Sequence, residues 1–277
     1  MPTSRWPIAA NISLLFHELP LSERPAAAAR EGFSAVEMWW PFASAKPASS
    51  EIDDLVAAVE DADIPLVALN FAAGNLAAGD RGLLNDRAKA AQFRASVELA
   101  VLIGERTGCR LFNALYGNRL DGVSSAQQHD QAASNLAYAA WAADKVGGTV
   151  LVESLNVIEN PRYLLPRPAD AARVVFTARA SGHPNVALLA DVYHWAADGD
   201  DPAAALDAYA PVIGHIQVAD YPGRHEPGTG EINFEAIYAA LQRNGFRGIV
   251  AAEYRPAART EDGLGWIRCP ILHGVTP

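Results

Sequence analysis

Eight short runs of aliphatic and β-branched residues alternate with alanine-rich amphipathic stretches from one end of this chain to the other. The runs cover residues 8–16, 35–39, 66–70, 110–115, 149–154, 186–191, 212–218 and 249–253. Helical periodicity falls between them, over residues 22–31, 51–61, 86–107, 125–146, 168–180, 202–209 and 234–243. A strand that follows every helix runs parallel to the strand before it, and a parallel sheet needs helices to cover its faces. Gly32, Gly108, Gly147 and Gly245 stand just before a following strand, where a helix C-terminus favours a left-handed residue. Eight such units predict an α/β fold closed as a single (β/α)8 TIM barrel, one domain over residues 1–277. The length is close to the ~250 residues typical of that architecture. A doubly wound open sheet is the competing architecture, but no GxGxxG follows the first run, so its main dinucleotide-binding signal is missing. One last helix and a closing tail are expected over residues 255–277.

Composition narrows the function classes. Half of the residues are apolar, enough for a large core without disulfide support. Acidic groups outnumber basic ones 32 to 22, a formal net charge of −10, and the few lysines are scattered. A nucleic-acid partner or a membrane surface would call for a basic face, so neither is expected. An anionic substrate would need a local cationic site against this overall field. The two cysteines, Cys109 and Cys269, lie in no metal-binding spacing and are expected to be reduced thiols. No apolar stretch reaches the ~18 residues that cross a bilayer. A cytoplasmic enzyme with a small-molecule substrate is the resulting expectation, and a homo-oligomer is left open.

In a barrel of this kind the chemistry sits at the C-terminal ends of the strands. The fifth run ends Leu151-Val152-Glu153, the sixth Leu189-Ala190-Asp191, the seventh contains Ile216-Gln217-Val218 and the eighth ends Ala252-Glu253. Glu153, Asp191, Gln217 and Glu253 thus recur at about one β/α unit, ~30 residues, and point to one place on the barrel axis. Three carboxylates brought together in a dry mouth repel one another and cost several kcal/mol each to desolvate. A divalent cation resolves that conflict, and an all-oxygen set without cysteine suits Mg²⁺ first and Mn²⁺ second. His194 and His215 are candidates for contact with substrate or with the metal ligands. Glu37, ending the second run, is expected in a structural salt bridge. After the seventh strand, the Gly- and Pro-rich loop from Tyr221 to Glu231 offers Arg224, His225 and Glu226 as substrate-binding residues, with Arg224 and His225 facing a small anion. Trp39, Trp40, Phe42, Phe71 and Tyr116 are expected in core or lid packing, with exclusion of water from the site as the alternative.

Several segments resemble the hydroxypyruvate isomerase family within the xylose isomerase-like TIM barrels. They are Asn11-Ile12-Ser13-Leu14-Leu15-Phe16, Glu31-Gly32-Phe33 with Val36-Glu37, and Ala77-Ala78-Gly79-Asp80-Arg81-Gly82. The more specific ones are Asp191-Val192-Tyr193-His194, the stretch from Gly214 to Asp220, and the stretch from Gly223 to Asn233. The resemblance implies a metal held by Glu153, Asp191, Gln217 and Glu253, with Glu153 and Glu253 as the proton-transfer pair. It implies an intramolecular oxidoreductase of the aldose–ketose type that interconverts hydroxypyruvate and tartronate semialdehyde through an enediolate, in glyoxylate and carbohydrate metabolism. A 2-oxo-tetronate isomerase or a keto-sugar epimerase with the same metal site is the alternative. Ser154 departs from the family, which usually has proline after the fifth-strand glutamate.

Overall fold

The structure, a computed structural model, describes residues 6–268; Cys269 and the end of the expected closing tail lie outside the described residues. Eight strands form it: β1 (Ile8–Asn11), β2 (Ala35–Met38), β3 (Leu66–Asn70), β4 (Leu111–Asn113), β5 (Thr149–Glu153), β6 (Val186–Asp191), β7 (Ile213–Val218) and β8 (Val250–Ala252). Each pairs in parallel with its sequence neighbours, and β8 pairs with β1 through Ile8 opposite Val250 and Ala9 opposite Ala251, which closes the barrel. The expected (β/α)8 architecture is therefore the one observed.

Eight α-helices accompany the strands: α1 (Arg24–Arg30), α2 (Ser49–Asp61), α3 (Ala90–Thr107), α4 (Ser125–Asp144), α5 (Pro168–Ala180), α6 (Val192–Ala197), α7 (Pro202–Tyr209) and α8 (Phe234–Arg243). Local chemistry starts several of them. Ser124 and Gln127 form a reciprocal capping box at α4, Asp201 accepts from Ala203 and Ala204 at α7, and Asn233 accepts from Ala236 at α8. The anticipated glycines past the helix ends take left-handed φ, as at Gly108 with +80° after α3. Strand 8–16 was expected to be long, but β1 stops at Asn11 because residues 12–19 fold back as turns, Leu15 donating to Asn11 O. The expected last helix is a 3-10 segment, Thr260–Arg268.

Strand alternation divides the interior into layers. Ala9, Ala35 and Ala251 pack together inside the barrel, and Leu151, Ala187 and Leu189 form a second small cluster there. Two residues further along the same strands the inward positions become polar: Asn11, Glu37, Glu153, Asp191 and Glu253. The outward positions, such as Ala10, Val36, Val152 and Leu188, join the large core between barrel and helices. Period-two geometry thus puts a charged layer directly on an apolar plug.

Asp220 shapes the loop after β7. Fully buried, it accepts from the backbone N–H groups of Tyr221, Gly228, Gly230 and Ile232 at 2.8–3.0 Å. Asp220→Asn replaces an accepting oxygen with a donor that faces backbone donors. The variant is expected to lose about 2–3 kcal/mol of stability, since hydrogen bonds to a charged group and buried unpaired donors both count. A lower denaturant midpoint at unchanged slope is the expected result; a wild-type midpoint would contradict it.

Candidate active site

Glu153 and Asp191 are the last residues of β5 and β6, and Gln217 stands opposite Asp191 in the β6–β7 register. Glu253 follows β8 directly, and its N–H bonds Val218 O. All four are nearly sealed from solvent. Asp191 does two jobs, ending β6 and capping α6 through Tyr193 N at 2.9 Å. Since α6 starts without a linker, His194 sits one turn on, with Nε2 3.6 Å from Asp191 Oδ2 and 3.8 Å from Glu153 Oε1. Glu153, Asp191 and His194 each bring a ligand atom within 4.8 Å of the others.

Hydrogen bonds decide which of these groups fits a cation. The backbone N–H of Asn156 donates to His194 Nδ1 at 3.2 Å, so the neutral ring carries its proton on Nε2. Burial first, then the charges of Arg224 and Arg81, holds the ring neutral by lowering its pKa well below the ordinary histidine value. In this tautomer the Nε2–H is a donor towards the site and not a metal lone pair. Gln217 is the converse case. Its Nε2 donates to Glu37 Oε1 at 2.7 Å, and its buried Oε1 has no hydrogen-bond partner among the described residues. An amide oxygen kept dry and unpaired on the strand beside Asp191 suits an oxygen-preferring divalent cation. Glu37 is itself fixed by hydrogen bonds to Asn11 at 2.9 Å and His215 at 2.6 Å, a buried structural contact.

Arg224 supplies the compensating positive charge. It has left-handed φ of +57°, which turns its side chain inward from the loop, and its guanidinium lies over the Tyr193 ring. Nη2 is 3.0 Å from Asp191 Oδ2 and 3.5 Å from Glu253 Oε1. Burial works against that charge, but Glu253, Asp191, Glu153 and Glu159 together hold its pKa above the usual arginine range. The carboxyls are pushed the other way. Burial, then the Asp191 charge, raises Glu153 to about 8. Burial raises Asp191 to about 6 against the pull of Arg224, and raises Glu253 well above its normal range.

A cavity of about 490 Å³ opens above these groups, lined by Glu153, His194, Arg224 and Glu253 with Trp39, Arg81 and others. The loop after β7 does not gather its candidates as expected. Arg224 reaches the cavity but is engaged by the site's own carboxylates. His225 Nδ1 faces Arg255 O at 2.8 Å, and Glu226 lies behind the loop, accepting from Ala257 N at 3.1 Å. His215 lies a layer deeper, on Glu37. None of these last three is among the cavity's lining residues. Trp39 is more than packing: its Nε1 donates to Glu253 Oε1 at 2.7 Å. Asn113, ending β4, donates to Glu153 Oε2 at 2.8 Å. Asn113 was missed, although the rule that selected the carboxylates, a polar residue directly after an apolar run, applies to it as well.

The raised carboxyl values have a stability consequence for metal-free protein. Folded Glu153 keeps its proton to about pH 8, while the unfolded chain loses it near 4.5. Between those values the native state binds more protons, so stability falls as pH rises. Metal-stripped protein is expected to melt at progressively lower temperature from pH 5 to pH 8, and a divalent cation to restore the loss. Glu153→Gln, which cannot titrate, is expected to show a shallower slope; an unchanged slope would assign the effect elsewhere.

Comparison with known proteins matches the fold. The model of the xylose isomerase-like TIM barrel family covers residues 25–269. A Streptomyces coelicolor protein, provisionally named a hydroxypyruvate isomerase, is 47% identical over 89% of this chain and 89% of its own length. The 2-oxo-tetronate isomerase of Cupriavidus necator is 34% identical over 94% of this chain and 96% of its own. Among solved structures, one described as a family 2 AP endonuclease from Brucella melitensis superposes with a TM-score of 0.86 at 31% identity, covering 97% of this chain and 98% of that one. No helix among the described residues is long and apolar enough to cross a membrane. The chain is an isomerase that belongs to the hydroxypyruvate isomerase family of xylose isomerase-like TIM barrels.

Proposed function

We propose that this enzyme interconverts hydroxypyruvate and tartronate semialdehyde by moving a proton between adjacent carbons through an enediolate. The observation that carries this reading is the pairing of two buried glutamates with a buried, unpaired amide oxygen on the neighbouring strand of the same mouth. Glu153, Asp191, Gln217 and Glu253 would hold one divalent cation, Mg²⁺ or Mn²⁺ by their oxygen chemistry. That ion would supply Lewis-acid stabilisation of the negative charge developing on the substrate oxygens.

The remaining work falls to the chain's own groups. Glu153 and Glu253 exchange the proton with the two substrate carbons. Each is steadied through one oxygen, Glu153 by Asn113 and Glu253 by Trp39, which limits rotation of the carboxyl during transfer. His194 donates from Nε2 to a substrate oxygen. Arg224 balances the charge of Asp191 and Glu253 and holds their orientation.

A 2-oxo-tetronate isomerase is the second reading. It is favoured by the Cupriavidus relative and by a cavity of about 490 Å³, larger than a three-carbon acid needs. Phosphodiester cleavage, suggested by the name of the Brucella structure, fits poorly with a net charge of −10, because a duplex substrate calls for a basic groove.

Purified enzyme is expected to isomerise hydroxypyruvate when Mg²⁺ is present and to stop when the metal is chelated. Full activity after verified metal removal would contradict the metal assignment. Glu153→Gln and Glu253→Gln are each expected to lower kcat at least ~10²-fold at matched metal occupancy, the low end for general acid–base catalysis. Wild-type turnover by either fully metallated variant would remove that residue from the proton-transfer pair.

A further inference from the structure

Three arginines line the active-site cavity, and their surroundings differ. Arg224 is committed to Asp191 and Glu253. Arg255 stands at the rim, its side chain 61% exposed and 4.0 Å from Glu159. Arg81, on the loop after β3, is half-buried, and among the described residues no carboxylate lies within ion-pairing distance of it. Its Nε donates to Asn160 Oδ1 at 2.6 Å, and its Nη1 to the carbonyls of Leu76 at 3.0 Å and Asp80 at 2.8 Å. These acceptors are neutral, so they fix the guanidinium plane without cancelling its charge, and no hydrogen bond among the described residues engages Nη2. The neighbouring Asp80 carboxylate is turned aside, accepting from Asn75 N and Lys89 Nζ.

We propose that Arg81 binds the carboxylate of the substrate and selects 2-oxo acids over neutral ketoses. This assignment rests on the isomerase reading above and names the group that recognises its acid substrate. It moves the anion contact from the loop after β7 to the loop after β3.

Two features make the site preorganised. The loop is anchored where Gly82, with φ of +114°, meets β4's loop through a bridge to Tyr116; a Cβ there would overlap the Leu115 carbonyl. Asn118 also holds Gly79 O at 2.8 Å. Second, fixed contacts tie Arg81 to the reacting centre: Asn160, which accepts from Arg81, bonds Asn156 O, and Asn156 bonds His194 Nδ1. A carboxylate on Nη2 would gain a charge-assisted hydrogen bond from a donor that loses little freedom on binding.

Steady-state kinetics on the Mg²⁺-loaded full chain test this, with hydroxypyruvate as substrate and dihydroxyacetone as neutral competitor. Arg81→Gln is expected to raise KM for hydroxypyruvate about 10- to 100-fold with little change in kcat, because the contact exists in ground and transition states alike. Arg81→Lys is expected to recover part of that affinity. Inhibition by dihydroxyacetone should be the same in all three proteins, and their matching melting temperatures would verify folding. An unchanged KM, or equal weakening towards acid and neutral compound, overturns the proposal. If wild-type enzyme does not turn over hydroxypyruvate, the functional reading fails separately, and calorimetry with tartronate decides the role of Arg81. Weaker tartronate binding by Arg81→Gln supports the assignment. Equal binding, or none by wild type, overturns it.

Discussion

Burying carboxylates is the expense around which the mouth of this barrel is organised. Glu37, Glu153, Asp191 and Glu253 are all sealed from bulk water, where an unpaired carboxylate would neutralise itself or destabilise the fold. Each is answered by a specific neighbour. His215, Asn11 and Gln217 surround Glu37, Asn113 holds Glu153, Trp39 holds Glu253, and Arg224 spans Asp191 and Glu253. The positive charge available from Arg224 is smaller than the negative charge it faces, which leaves room for a divalent cation.

The support is layered. Apolar plugs at Ala9, Ala35 and Ala251 and at Leu151, Ala187 and Leu189 give the polar layer a rigid floor. On that floor Glu37 fixes the amide of Gln217, so the amide oxygen is the end left unpaired. Glu37 therefore acts on the proposed metal site through another residue, as outer partners of metal ligands commonly do. His194 is set in the same way, through Asn156, into a tautomer that donates towards the cavity.

Much of this was legible in the sequence because two simple periods govern it. Residues that close an apolar run in a β/α unit must meet at the barrel mouth, as Glu153, Asp191 and Glu253 do, with Gln217 opposite Asp191 one residue before its strand ends. Other features resist such reading. Helix α6 follows β6 without a turn signal, since Asp191 is both strand end and N-cap and the helix has only six residues. The destination of Arg224 depends on one left-handed backbone residue inside a loop, and nothing in Gly223-Arg224-His225 distinguishes an inward guanidinium from a solvent-facing one. Arg81 is hidden for a related reason: its three acceptors come from residues 76, 80 and 160, two loops that only the closed barrel brings together.

On the proposed function, this mouth moves a proton between adjacent carbons of a hydroxy-oxo acid. Its most direct test is proton NMR of hydroxypyruvate incubated with the Mg²⁺-loaded enzyme in deuterium oxide, against metal-stripped enzyme as control. Metal-dependent formation of tartronate semialdehyde is predicted, with deuterium entering the hydroxymethyl carbon of recovered substrate whenever a glutamate exchanges its proton before returning it. Persistence of unlabelled hydroxypyruvate without product, in enzyme shown to carry its metal, would contradict the account.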